Sequence, residues 1–409
     1  MTARSPRFPL FDSLRAIAAL SVVLFHVAFV LEGFTDDTWG RYATQLNIGV
    51  PIFFLISGFL LYRPFAKARF EGSRAPQLGP YAIRRAFRIL PAYWVAVAVI
   101  AWWVDLPAVF NHWYYHFTLL QVYNEFDLLG GVGHTWTLAV EITFYVLLPV
   151  WAFSMRRLPA RSTRQFVAGE ALALGAMFAA GLWWNLTQVE QVGDLVLFSP
   201  EVATLPRFLD HFALGMGLAV ASVVLAGRAR QPLPVRIVER ASWLPWVVAA
   251  GCFVVLANLG SSYVSADVEP IRHELRGLIG LCVLLPAVFG EASGGAVRRL
   301  LASRPLLWVG MVSYSLYLWH PAIAQKIVYT ELDENVGWVL PAVLIVIASV
   351  AAAAVSFYVI ERPMLRAGRS LARRAARGEP PEGEAAGAAA GFGAPADDAP
   401  ADIPAPSGR

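Results

Sequence analysis

Long apolar runs separated by short charged loops dominate the chain. A membrane span needs about 20 mostly apolar residues. Ten segments approach that length: roughly 13–33, 46–64, 88–105, 135–155, 166–187, 207–226, 243–260, 271–290, 305–328 and 338–360. The first contains Arg15 and His26 and lacks a small-residue cleavage site, so it predicts a retained helix and not a signal peptide. The loops alternate in charge. Most of the 33 basic residues cluster before residue 13 and in 62–88, 156–164, 228–240, 298–304 and 362–377. The intervening loops carry Asp36, Asp37, Glu125, Asp127, Glu190, Asp194, Glu201, Asp267, Glu269, Glu331, Asp333 and Glu334. The positive-inside rule then puts both termini in the cytoplasm, which requires an even number of spans. The expected fold class is an all-α polytopic membrane protein of about ten transmembrane helices, in a bacterial cytoplasmic membrane.

Composition agrees. The chain of 409 residues is 57% hydrophobic and 15% charged, with a mean hydropathy of +0.54. A soluble enzyme, a disordered chain and a nucleic-acid binder are poor fits. The net charge of +4 is spread between apolar blocks, so it predicts a lipid bilayer as partner and no nucleic acid. Cys252 and Cys282 lie in apolar stretches and read as small buried hydrophobes. The aromatic segment 106–124 predicts an interfacial or re-entrant piece on the outer side. Its His112 and His116, at i and i+4, have no third ligand in view and read as interface anchors, so no metal is expected. From about Arg377 the chain is rich in Ala, Pro, Gly and acidic residues. This predicts a transmembrane domain over 1–376 and a disordered cytoplasmic tail over 377–409.

Candidate chemistry lies in the few ionisable residues inside the spans, each costing at least about 2.5–3.5 kcal/mol to insert. In FDSLRAIAALSVVLFHVAF, His26 follows Arg15 by eleven residues, about 16 Å deeper on the same helix face. Asp12 stands one turn before Arg15 and can pair with it. Arg15 also reads as a snorkelling anchor, and His26 as a satisfied core histidine. In HTWTLAVEITFYVLLP, Thr137, Glu141 and Tyr145 form a polar stripe, with Glu141 near the level of His26. In WVGMVSYSLYLWHPAI, Ser313, Tyr317 and His320 share a face, with His320 at a similar depth. Ser57 in FFLISGFLL either lines a cavity or lets helices pack closely. In RRAFRILP, Arg85 and Arg88 sit at i and i+3. Paired guanidiniums suit phosphate or pyrophosphate, although Arg84 and Arg85 also fit ordinary positive-inside charge. An arginine rim with a deeper His/Glu layer fits a long ligand with an anionic head and a reactive end. His26 would then take a hydroxyl proton, with Glu141 able to orient its imidazole.

At these residues the chain resembles the acyltransferase-3 family of integral-membrane acyltransferases, which O-acylate sugars, polysaccharides and macrolides. The matching pieces run in order: FDSLRAIAALSVVLFH, FFLISGFLL, RRAFRILP, HTWTLAVEITFYVLLP, RFLDHFALGM, YSLYLWHP and VIERP. The resemblance implies transfer of an acyl group, acetyl above all, from cytoplasmic acyl-CoA to a hydroxyl of a carbohydrate, glycolipid or secreted metabolite. Acyl-CoA is a donor substrate in this scheme, and no cofactor is bound. The resemblance also implies that His26 and Arg15 are essential, that Arg85 and Arg88 bind the donor, and that Glu141 belongs to the active centre. Many members carry two acidic residues where this chain has Glu141-Ile142. Some append an extracytoplasmic hydrolase-like domain, for which this chain has no room; it would finish the transfer itself or hand over to a separate protein. A proton-coupled transporter is the competing expectation, because it too needs buried His and Glu.

Overall fold

The computed structural model describes residues 8–31, 37–124, 128, 132–189, 200–259, 268–289, 295–330 and 337–377. Every regular element among them is helical, as a lipid environment demands, because only a helix or a closed barrel satisfies its own backbone there. The ten expected segments all appear as helices: α1 (Leu10–Val30), α2 (Gly49–Phe70), α3 (Leu78–Val104), α4 (Trp136–Met155), α5 (Thr163–Trp184), α6 (Leu209–Leu225), α7 (Leu244–Ala257), α8 (Glu269–Val288), α9 (Arg304–Thr330) and α10 (Val339–Ser356). A last helix, α11 (Arg362–Arg377), continues α10 through a π-helical turn at Phe357–Glu361.

Length and apolarity alone qualify seven of these helices as spans. An eighth arises if α7 is joined to the short helix Leu233–Arg240, from which it is bent by 93°. Two of the ten expected spans fall short. Helix α8 carries Arg272, Glu274 and Arg276 in its first half. Helix α9 is diluted by Ser313, Ser315, three tyrosines and His320. Most of these groups turn inward: Arg272, Arg276, Ser313, Ser315, Tyr317 and His320 are buried. The tail beyond Arg377 and most of the acidic outer-loop residues lie outside the described residues.

The outward surface is apolar where that of a water-soluble protein would be polar. Val146, Val150, Leu172, Ile347 and Val359 are exposed, forming the apolar coat that lipid contacts. Segment 106–124 folds as short helices at Pro107–Asn111 and Trp113–Thr118 with Trp113 and Tyr114 exposed, as in an interfacial aromatic belt, but His116, expected as an interface anchor, is buried. Inside, α6 packs along α2, and α1 packs along α9. Both contacts depend on glycine. A Cβ on Gly58 would stand 2.7 Å from the Phe212 carbonyl oxygen, and one on Gly310 would overlap the Asp12 carbonyl. Close backbone approach replaces the hydrophobic drive that lipid removes. On the basic side, Arg69 bonds Glu170 at 2.6 Å, and Tyr62 donates to the same carboxylate at 2.7 Å, tying α2 to α5.

Candidate active site

Helices α1, α2, α3, α4 and α9 enclose a cavity of about 200 Å³. Its polar lining comprises Arg15, Ser57, Arg85, Arg88, Thr137, Glu141, Tyr145, Ser313, Tyr314 and Tyr317. Nine of the twelve residues singled out from the sequence therefore line one space. Asp12 stands behind them, its carboxylate 2.7 Å from the Arg15 guanidinium. Arg84 is exposed and outside the lining, so of the neighbouring pair Arg84-Arg85 only Arg85 faces the cavity. That is the outcome of the i, i+3 spacing of Arg85 and Arg88 on one helix.

The polar groups form a ladder. At the basic end the Arg85 guanidinium lies 5.7 Å from the centre of the Tyr145 ring. The Tyr145 hydroxyl donates to Glu141 at 2.5 Å, and Ser57 donates to the same oxygen at 2.5 Å. One turn further along α4, the Thr137 and Tyr317 hydroxyls bond each other at 2.6 Å. The Tyr317 hydroxyl also donates to the His134 carbonyl. This bridge ties α4 to α9 in the cavity wall.

His26 and His320 lie immediately beyond that bridge and are not part of the lining. The sequence predicted one continuous cleft; in the structure the lining reaches Thr137 and Tyr317, and the histidines adjoin Tyr317. The His320 ring is 5.9 Å from the Tyr317 ring and 4.9 Å from that of His26. His134 joins them, 5.7 Å from His320 and 6.5 Å from His26. Hydrogen bonding sets the tautomers. His320 Nδ1 lies 3.0 Å from the Leu316 carbonyl, and His26 Nδ1 lies 2.9 Å from the Val22 carbonyl. A carbonyl only accepts, so in the neutral rings each Nδ1 carries the proton. His320 Nε2, 3.2 Å from His26 Nδ1, is then an acceptor, and His26 Nε2 keeps its lone pair. His26 is thus held through Nδ1 by the Val22 carbonyl and by His320. Glu141, given that task from the sequence, instead bonds Ser57 and Tyr145.

Besides the lining Tyr314, two more residues escaped the sequence reading. His134 sits just before α4 in a quoted motif, but its role depends on α1 and α9. Glu361, in VIERP, is buried at the π-helical turn, accepts from Ser315 at 2.9 Å, and acts electrostatically on Arg88 and Arg15. A π turn shifts the facing of one residue, so no helical periodicity announces this placement.

An apolar helical bundle holding a buried polar cavity, with arginines at one end and histidines near the other, is the architecture of a multi-pass membrane protein with a candidate active site. A sequence profile for the acyltransferase domain matches residues 9–361, and the chain belongs to that family. It is 26% identical over 379 residues to a peptidoglycan O-acetyltransferase of Listeria monocytogenes, covering 88% of this chain and 56% of that protein. It is 24% identical over 387 residues to an O-acetyltransferase of Staphylococcus aureus, covering 89% of this chain and 58% of that protein. The chain thus spans little more than half the length of these relatives. No solved structure matches it. These relatives do not favour the transporter alternative.

Proposed function

We propose that this protein transfers an acetyl group from cytoplasmic acetyl-CoA to a hydroxyl of a cell-envelope carbohydrate, with peptidoglycan the acceptor suggested by the relatives. The observation that carries this reading is the ladder from Arg15, Arg85 and Arg88 to the histidine cluster. Arg15 and His26 stand about 16 Å apart along α1, which suits a long donor with its phosphates at the arginines and its thioester at the histidines. With the termini in the cytoplasm, the arginine end faces the compartment that holds acyl-CoA.

In this mechanism the donor's phosphates are gripped by guanidiniums, whose donors match phosphate oxygens in pairs. The pantetheine arm follows Tyr145, Glu141 and Ser57, and the Thr137–Tyr317 bridge opens to admit the thioester. His26 Nε2 takes the proton of the acceptor hydroxyl as its oxygen attacks the thioester carbonyl. The carbon–sulfur bond breaks, and the thiolate leaves with the proton returned by His26. His320 steadies the imidazolium's orientation through Nδ1. Glu141 holds the channel wall by fixing Ser57 and Tyr145.

The test is label transfer from acetyl-CoA, radiolabelled in the acetyl group, by protein purified in detergent with muropeptides or peptidoglycan oligosaccharides supplied. Acetyl ester on the glycan and free thiol are expected, both lost in His26→Ala. An intact thioester with every such acceptor, or full activity in His26→Ala, refutes the reading.

A further inference from the structure

A second buried polar centre lies where the start of α6 meets the first turns of α8. Asp210, His211 and His273 are all fully enclosed. His273 Nε2 is 3.0 and 3.1 Å from the two Asp210 oxygens. Glu274 lies within hydrogen-bond reach of Asp210, and no other group bonds its buried Oε1. His211 Nε2 lies 3.1 Å from the His273 carbonyl. That nitrogen carries the proton in the neutral ring, which leaves a bare lone pair on Nδ1, also buried without a partner. Ligand atoms of Asp210, His211 and His273 fall within 4.8 Å of one another.

Such a cluster is unbalanced as it stands. Two carboxyl groups in hydrogen-bond contact cannot both be ionised unless a proton or a cation lies between them. The nearby guanidiniums of Arg207 and Arg276 bond Glu269 at 2.6 and 2.7 Å. Two imidazoles and two carboxylates are the donor set of a transition metal, with imidazole selecting against magnesium and calcium. The site is distinct from the cavity: the Phe208 ring stands between, 5.5 Å from His273 and 4.9 Å from the cavity-lining Phe54. The sequence concealed it because its ligands come from two helices, with His211 and His273 separated by 62 residues.

We propose that Asp210, His211, His273 and Glu274 bind one divalent transition-metal ion of the zinc kind, which staples α6 to α8. The two imidazoles now stack 4.0 Å apart and 8° from parallel. Parallel rings cannot both aim an in-plane lone pair at one point, so binding would turn one ring out of the stack.

The experiment uses the full chain with a histidine-free tag, purified in detergent without chelator, and measures metals by mass spectrometry. About one equivalent per chain is expected, falling at least about tenfold in Asp210→Asn and His273→Gln and unchanged in His112→Ala. Because the ligand variants could misfold, wild-type protein is also stripped with a chelator. Its thermal midpoint should drop and be restored by zinc but not by magnesium. Metal-free wild-type protein that gains nothing on dialysis against zinc overturns the proposal and leaves a shared proton in its place. Metal lost in His112→Ala, or a midpoint indifferent to chelation, overturns it as well.

Discussion

His320 offers the sharpest test of how the buried histidines divide their work. Its Nε2 accepts from His26 Nδ1 at 3.2 Å, while the Val22 carbonyl holds the same Nδ1 at 2.9 Å. In His320→Ala the carbonyl remains, so the His26 tautomer is kept and only one of two restraints is lost. A buried hydrogen bond is worth about 1–1.5 kcal/mol, and that loss at the transition state slows turnover about tenfold. His320→Gln, whose amide oxygen can stand near the Nε2 position, should recover most of the rate. The KM for acetyl-CoA should hold in both, because the arginines lie about 16 Å away along α1. Steady-state release of free thiol in the presence of acceptor, followed across donor concentrations, reads kcat and KM separately. If His320→Ala falls as far as His26→Ala, His320 is itself the base and the tautomer argument is wrong. If the donor KM rises while kcat holds, the two ends of the cavity have been assigned the wrong way round.

Three further outcomes follow from the same geometry. Arg88→Ala should raise the acetyl-CoA KM about tenfold or more with a smaller change in kcat; a shift confined to the acceptor KM would remove Arg88 from donor binding. Gly310→Ala should destabilise the protein by about 1–3 kcal/mol through overpacking, because the new methyl meets the Asp12 carbonyl, and a thermal midpoint in detergent equal to wild type would contradict the α1–α9 contact. Glu170→Ala strands the Arg69 guanidinium inside the bundle and should cost about 3–5 kcal/mol; the same midpoint, unmoved, would show that water or lipid headgroups solvate Arg69.

The linear chain determined the architecture, because lipid imposes length and apolarity on each span independently of its neighbours. Helices emerged where the ten apolar runs predicted them, seven or eight of them long and apolar enough to span, and α8 and α9 fell short because they carry buried polar groups. Facing within one helix was legible as well. Arg85 with Arg88, and Thr137 with Glu141 and Tyr145, reach the same cavity because their spacing follows the helical turn. Contacts between helices were not legible. That Glu141 answers to Ser57, that His320 and His134 surround His26, that Tyr317 bonds Thr137, and that Asp210 meets His273 all depend on how helices distant in sequence rotate and approach one another. That rotation is set by glycine contacts such as Gly58 against Phe212 and Gly310 against Asp12, and no residue's own periodicity records which partner it will meet.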